Sequence, residues 1–324
     1  MKWKAHLPVL RRLLLAVFLL AAAFLLWRYA RTVDWHAVAD AIAGYPPSRL
    51  AMAAAMSALA YACYSGFEVL ARAYTGHGLP LGRVLAIAPT CYAFNLNLGA
   101  LVGGIGFRYR LYSHAGLRTS TISRVVAFTI ASNWSGFLLL GGLSFTFAPM
   151  PLPPHWDVPP WVFDAAGLAM LSAVAGWLGM CAFSRRRSWS PRGHRIELPS
   201  LTIAILQLLL ATASWLAIAS ILALLMPAGA AFTTVAGTLM LSVVANLVIR
   251  VPANLGVMEA VFVGLLGPRW GTPAILAAVL TWRALFHIGP LVLAMLAYVL
   301  LEAHAKRHRV RHRRARVAPD SQAS

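Results

Sequence analysis

Two apolar stretches, residues 84–107 and 232–268, are interrupted by Gly, Pro and Asn, whereas the other long apolar runs are not. Backbone groups freed by such breaks cannot face lipid, so a broken helix survives only where protein or a wet cavity satisfies it. A pair of breaks in corresponding places of two halves points to a translocation site. The breaks constrain so strongly because the chain is otherwise mostly hydrocarbon: 60% of its 324 residues are hydrophobic and 11% charged. That composition excludes a soluble domain and predicts one polytopic membrane domain over 1–305, followed by a basic tail over 306–324.

Apolar windows long enough for a bilayer core of about 30 Å fall at 9–27, 50–71, 125–147, 161–183, 201–226 and 274–301. The first follows a basic start, and Phe24–Trp27 prolong it past Ala21–Ala23, which predicts an uncleaved span rather than a signal peptide. Charge then arbitrates topology, because cytoplasmic loops collect Lys and Arg. If 84–107 crossed, the arginines at 108–124 and 185–195 would lie outside, and the Lys-free, Arg-free loop 148–160 inside. If 84–107 enters and returns on the cytoplasmic side, every loop falls correctly. The stretch 232–268 either re-enters from the opposite face or makes two spans with Arg250 between them; both place the two termini in the cytoplasm. The fold class expected is all-α, a membrane bundle of about six full spans plus two broken hairpins. Each hairpin contains Asn-Leu-Gly, at Asn97–Gly99 and Asn254–Gly256.

Two constellations carry possible chemistry. Gly99, Gly103, Gly104 and Gly106 lead into Phe107-Arg108-Tyr109-Arg110. Glycines admit a ligand close to the backbone and arginine matches phosphate oxygens, which predicts a seat for a lipid phosphate; Asn95 and Asn97 stand just before it. The alternative is a small-residue packing face with interfacial arginines. In Val251–Glu259, Pro252, Asn254 and Gly256 break the helix, and Glu259 falls in the first turn of the next half. An intramembrane acid needs a partner, and Arg250 and Arg283 are the candidates. Glu68 stands four residues before Arg72, the spacing of a local helix pair. Asn133, Gln207 and Asn246 read as interhelical hydrogen bonders, and His287 as a satisfied core histidine.

Cys63, Cys91 and Cys181 sit singly in apolar runs, with no disulfide or metal spacing. His304, His308 and His312 form a stripe among basic residues that repel a cation, so no metal or other cofactor is expected. HExxH, GxSxG and aspartate-rich metal motifs are missing, which disfavours an enzyme.

The run Asn95–Tyr112, with Gly116-Leu117, Asn133-Trp134, Val251–Glu259 and Arg283, resembles the flippase-like family of YbhN-type bacterial inner-membrane proteins, related to the transmembrane part of lysylphosphatidylglycerol synthases. The resemblance covers about 9–305; its specific parts are Gly-Gly-x-x-Phe-Arg-Tyr-Arg and Pro-x-x-x-Gly-Val-x-Glu. It implies an inner-membrane protein that translocates or guides phospholipids of the anionic class, with phospholipids, the anionic membrane surface and envelope lipid-transport machinery as partners and no nucleic acid. Asn254 departs from the Gly common in that family's turn, and the synthases' soluble transfer domain is absent here, so lipid lysylation is not expected. In the mechanism so implied, Arg108 and Arg110 recruit the phosphate and Glu259–Arg283 opens and closes the path. The rivals are a small-solute or ion transporter, a lipid-modifying enzyme and an envelope scaffold.

Overall fold

The structure is a computed structural model that describes residues 34–148, 158–159, 161–185, 188–189, 196–249, 251 and 254–299. The expected first span 9–27 and the tail lie outside the described residues, as do Arg250 and Pro252. Among the described residues, seven helical stretches are long and apolar enough to cross a membrane. They are α2 (Pro47–Thr75), the stretch Leu81–His114, α5 (Thr119–Phe147), α6 (Trp161–Phe183), α7 (Leu201–Leu225), α8 (Phe232–Ile249) and Thr272–Val299. A short helix α1 (Trp35–Ala43), capped by the Asp34 carboxylate, precedes them, between the expected spans 9–27 and 50–71. The only strands among the described residues are a two-residue antiparallel pair, Ser188–Trp189 with Ile196–Glu197.

The stretch Leu81–His114 does not run straight. Helix α3 (Leu81–Gly99) ends where Gly99 takes φ +79° and ψ 169°. The π-helical segment π1 (Ala100–Gly106) and helix α4 (Phe107–His114) then return along α3. A Cβ on Gly103 would fall on the Phe94 carbonyl, and one on Gly104 on the Asn95 side chain. Phe94 and Phe107 stack with centroids 4.0 Å apart. Lower down, Val84, Ile87 and Cys91 share one buried cluster with Leu111 and Tyr112. This is the re-entrant hairpin expected of 84–107, extended at its open end to Leu81 and His114.

The second break behaves alike. Helix α8 leads to a tip that includes Val251 and Asn254–Gly256, and α9 (Val257–Trp270) packs back against α8. Gly271 at φ +84° starts α10 (Thr272–Arg283), which continues through the π-helical segment π2 (Ala284–Ile288) to residue 299. With only 14 residues, α9 is shorter than the roughly 20 needed for a full span.

Side-chain contacts fix which ends lie together. Tyr298 meets Phe94 and Phe107, Tyr109 bonds Ser123, and Tyr74 donates to the Glu197 carbonyl. The open end of hairpin 1 (α3–π1–α4) therefore shares one end of the bundle with the start of α5 and the close of α2. At the opposite end, Tyr45 donates to the Leu225 carbonyl and Val38 of α1 packs on Leu276 and Ala277, beside the open end of hairpin 2 (α8–α9). The two hairpins open at opposite ends, as an inverted pair. Between them α2 and α7 form the most extensively packed helix pair. Small residues bring helices close elsewhere too, as where Gly136 of α5 abuts the Ala211 backbone of α7.

Candidate functional site

Each hairpin is pinned to a neighbouring span by a buried ion pair. In hairpin 1, Arg108 is 4% exposed and Glu68 of α2 fully buried. Arg108 Nε donates to Glu68 Oε1 at 2.7 Å, Nη1 to the Gly104 carbonyl at 2.9 Å and Nη2 to Tyr64 Oη at 3.1 Å. Tyr112 Oη donates to the other Glu68 oxygen at 2.9 Å. Tyr64 in turn stacks on Tyr92 of α3 with centroids 3.5 Å apart. A buried pair holds only when both charges find further hydrogen bonds, and here both do.

Two expectations are corrected by this geometry. Glu68 pairs with Arg108 rather than with Arg72, whose Nε instead donates to the Leu79 carbonyl at 2.7 Å. Arg108, expected at a lipid phosphate, spends its guanidinium inside the bundle closing the hairpin. Arg110 is exposed and lies over the Tyr298 ring, 5.6 Å from its centroid.

In hairpin 2, Glu259 occupies the first turn of α9, as expected, and its Oε2 accepts the Gly256 N–H at 2.8 Å. Its partner is Arg283 of α10: Nε lies 2.5 Å from Oε1 and Nη2 3.0 Å from Oε2, while Nη2 also donates to the Asn254 carbonyl at 2.7 Å. Asn254 stands at φ +54°, the only non-Gly residue with positive φ among the described residues. Asn tolerates that region better than other side chains, so it takes the backbone shape that Gly supplies in the resembled family. Gly99 and Gly256, which close the two Asn-Leu-Gly runs, both lie at hairpin tips with φ of +79° and +77°.

The tips converge on π2. Arg283 holds one tip, and four residues later the His287 carbonyl accepts Asn97 Nδ2 of the other at 3.2 Å. Pro290 has no N–H to give its helix, so a carbonyl one turn back must find another donor. Three side chains supply donors around this bulge: Ser57 Oγ to Leu285 O at 3.1 Å, Tyr61 Oη to Phe286 O at 3.3 Å, and Asn97 to His287 O. π-Helical turns inside helices recur at functional sites. Residues 283–287 lie near the middle of the 28-residue span Thr272–Val299, so the meeting point is at mid-depth.

Polar atoms without a protein partner gather in this half. They are Asn246 Oδ1, Asn254 Oδ1, Thr281 Oγ1, Trp282 Nε1 and His287 Nδ1. The expectation of a satisfied histidine at 287 therefore fails: the ring packs 4.6 Å from Trp282, but its Nδ1 is unpaired. Buried polar groups in this number need a partner such as a polar ligand group or water.

Beside the tips runs a groove of about 770 Å³ between α2, α3 and the 284–297 segment, lined by Ser57, Tyr61, Pro89, Thr90, Leu285 and Pro290 among others. Its three hydroxyls are all committed, since Thr90 donates to the Ala86 carbonyl and the other two to π2. What it presents is hydrocarbon.

The family model of the lysylphosphatidylglycerol synthase TM region matches residues 13–294. The chain belongs to this family. It is similar to Inner membrane protein YbhN of Escherichia coli (strain K12), 38% identical over 306 residues that cover 94% of this chain and 96% of that protein. It is also similar to Uncharacterized protein slr0712 of Synechocystis sp. (strain ATCC 27184 / PCC 6803 / Kazusa), 28% identical over 279 residues, 84% and 86% of the two chains. The chain is thus a multi-pass membrane protein of the synthase-TM family.

In this family member the residues singled out in the sequence divide into three groups. Gly99, Gly103, Gly104 and Arg108 close hairpin 1; Asn254, Gly256, Glu259 and Arg283 close hairpin 2; Asn97 joins the two. Asn95 lies against Gly104, and Tyr109 bonds Ser123 at the open end. Gln207 is the interhelical hydrogen bonder expected, donating to Ser132 and to the Phe128 carbonyl of α5. Asn133 is joined to α7 through its backbone carbonyl, which accepts from Trp215. Sequence reasoning missed Tyr64, Tyr112 and the Ser57–Tyr61 pair, for which Pro290 inside an apolar run was the one available signal.

Proposed function

We propose that this protein moves phospholipids between the leaflets of the bacterial inner membrane, or guides them out of it. In this reading acyl chains travel in the groove beside π2 and the head group passes the unpaired polar atoms at the meeting of the tips. The observation that carries the reading is the groove whose Ser57, Tyr61 and Thr90 hydroxyls are all turned to carbonyls, next to a polar mid-depth cluster. A path for a small hydrophilic solute needs free polar groups along its walls, and this wall offers hydrocarbon. The name of the Escherichia coli relative supports the inner membrane. The arginine-rich segments support cytoplasmic termini and attraction to anionic head groups, with exposed Arg110 as the outer contact. Because Arg108 and Arg283 are each matched by a carboxylate, the mid-depth path carries little net charge and makes no strong demand on head-group sign. Onward delivery to envelope lipid-transport machinery fits the same role.

The test is reconstitution into liposomes with fluorescent lipid in both leaflets and an outside quencher. Wild type is expected to expose inner-leaflet lipid, and Ala58→Trp, which fills the groove from an exposed position, to slow this several-fold with an unchanged unfolding temperature. Equal rates for the two proteins, or no movement above empty liposomes, refute the proposal.

A further inference from the structure

A second cavity, of about 810 Å³, lies at the end of the bundle where hairpin 1 opens, between α5, α6 and α7. Its polar end is formed by Thr119, Ser120 and Arg124 of α5 with Glu197; Ala131 and Trp177 form the apolar end. The two ends differ as a lipid's do.

Two groups in its wall are incompletely paired. Gln207 is 1% exposed. Its Nε2 is held by Ser132 Oγ at 2.8 Å and the Phe128 carbonyl at 3.3 Å, which leaves Oε1, an acceptor, with no partner. Arg124 grips Glu197 Oε2 through Nη2 at 2.7 Å and lies 5.3 Å from the centroid of the Tyr74 ring, yet its buried Nε has no partner. The first turn of α5 adds donors. Residue 118 caps it with no side-chain bond, so the N–H groups of Thr119, Ser120 and Thr121 lack intrahelical acceptors, and these residues bring hydroxyls as well.

Donors therefore cluster at the outer end beside the Glu197 carboxylate, whose charge Arg124 balances, and an unpaired acceptor, Gln207 Oε1, waits at depth. A simple anion satisfies the donors and leaves Gln207 Oε1 unpaired. A phosphodiester that carries its own hydrogen-bond donor satisfies both. The exposed Ala127 and Ala131 continue the cavity along α5 as a wall for hydrocarbon.

We propose that this cavity binds the head group of a phospholipid bearing a donor, an ammonium or a hydroxyl: phosphate against Arg124 and the first turn of α5, donor on Gln207 Oε1, first methylenes against Ala131 and Trp177. As an uptake site this deepens the translocation reading and rests on it, but the binding itself is measured without movement.

The purified full chain in detergent is titrated with phosphatidylethanolamine, phosphatidylglycerol and phosphatidylcholine, binding being read by native mass spectrometry and by thermal shift. The trimethylated choline head keeps the phosphate and has no donor. The first two lipids are expected to bind about tenfold tighter than the third, the worth of one buried hydrogen bond. Gln207→Met is expected to erase that preference, and Ala131→Trp, at an exposed position, to weaken both lipids with the unfolding temperature unchanged. Equal affinity for all three lipids, or binding of the first two untouched by Ala131→Trp, overturns the site even if Gln207→Met fails to fold. Competition by soluble glycerophosphoethanolamine at the lipid's own concentrations overturns the lipid as the source and leaves a soluble phosphodiester. Preferential binding here without lipid movement in liposomes counts against the translocation reading alone; movement without this preference counts against the site alone.

Discussion

Replacing Glu68 by glutamine removes the charge opposite the Arg108 guanidinium and leaves one amide oxygen where two carboxylate oxygens served Arg108 and Tyr112. Both members of the ion pair are under 5% exposed, so solvent cannot take over the lost charge. Removing one partner of such a pair costs about 3–5 kcal/mol, a large part of a typical stability of about 5–15 kcal/mol. Arg108→Met, which strands the carboxylate instead, should cost about the same. The double variant Glu68→Gln/Arg108→Met removes both charges and keeps an acceptor for the Tyr112 hydroxyl. Its remaining losses are the partners of Gly104 O and Tyr64 Oη, about 1 kcal/mol each. It should therefore lie about 2 kcal/mol below wild type rather than at the 6–10 kcal/mol sum of the singles, a coupling of at least about 4 kcal/mol. Reversible unfolding in mixed detergent micelles measures all four proteins. Additive losses would refute the claim that these charges serve each other. Lipid movement by the double variant at the wild-type rate is the companion expectation; a folded double variant that moves none would return Arg108 to the lipid path.

Three further outcomes are expected. Gly103→Ala drives a methyl into the Phe94 carbonyl, so the limbs of hairpin 1 must separate; fluorescence-monitored unfolding should show a loss well above the ~1 kcal/mol typical of point substitutions in general. At Asn254 the φ of +54° means that Asn254→Gly should be tolerated or stabilising, whereas Asn254→Val should cost at least about 1–2 kcal/mol in the same assay. His77, between α2 and α3, has its imidazole pushed below the ordinary 6.5 by burial first and by the Arg72 charge second. The unfolded chain then binds the proton more readily than the folded one, so stability should fall as pH drops below about 6.5, and His77→Gln should flatten that slope.

Much of the architecture was legible because it follows from backbone chemistry. Gly, Pro and Asn inside hydrocarbon cannot be ignored by a helix, and loop charge chose between crossing and returning for 84–107, so the first hairpin could be read before any coordinates; for 232–268 the same charges allowed a re-entrant hairpin or two spans, and the structure decides for the hairpin. The full spans expected among the described residues lie within about six residues of the observed helices for the same reason. The pairing of Glu68 was not legible. Arg72 stands at the right helical spacing, but the αL turn at Gly76 brings the Leu79 carbonyl back to it, and the partner that wins lies forty positions along the chain. Nor could the mid-depth meeting be read, because it joins Asn97 to a carbonyl near position 287 that is free only where the helix widens. Helix α1 was lost among nine residues of mixed polarity, although Asp34 before them was a capping signal.

The account depends most on two hairpins that open on opposite faces of the membrane. In a cysteine-free background, single cysteines at Gly82, Ser113, Thr233 and Arg269, all exposed near hairpin ends, are labelled in intact cells with an impermeant maleimide and again after permeabilisation. The expected result is that 82 and 113 react alike, 233 and 269 react alike, and the two pairs respond oppositely. Labelling of 82 and 113 from different sides would make the glycine-rich stretch an ordinary crossing and contradict the account.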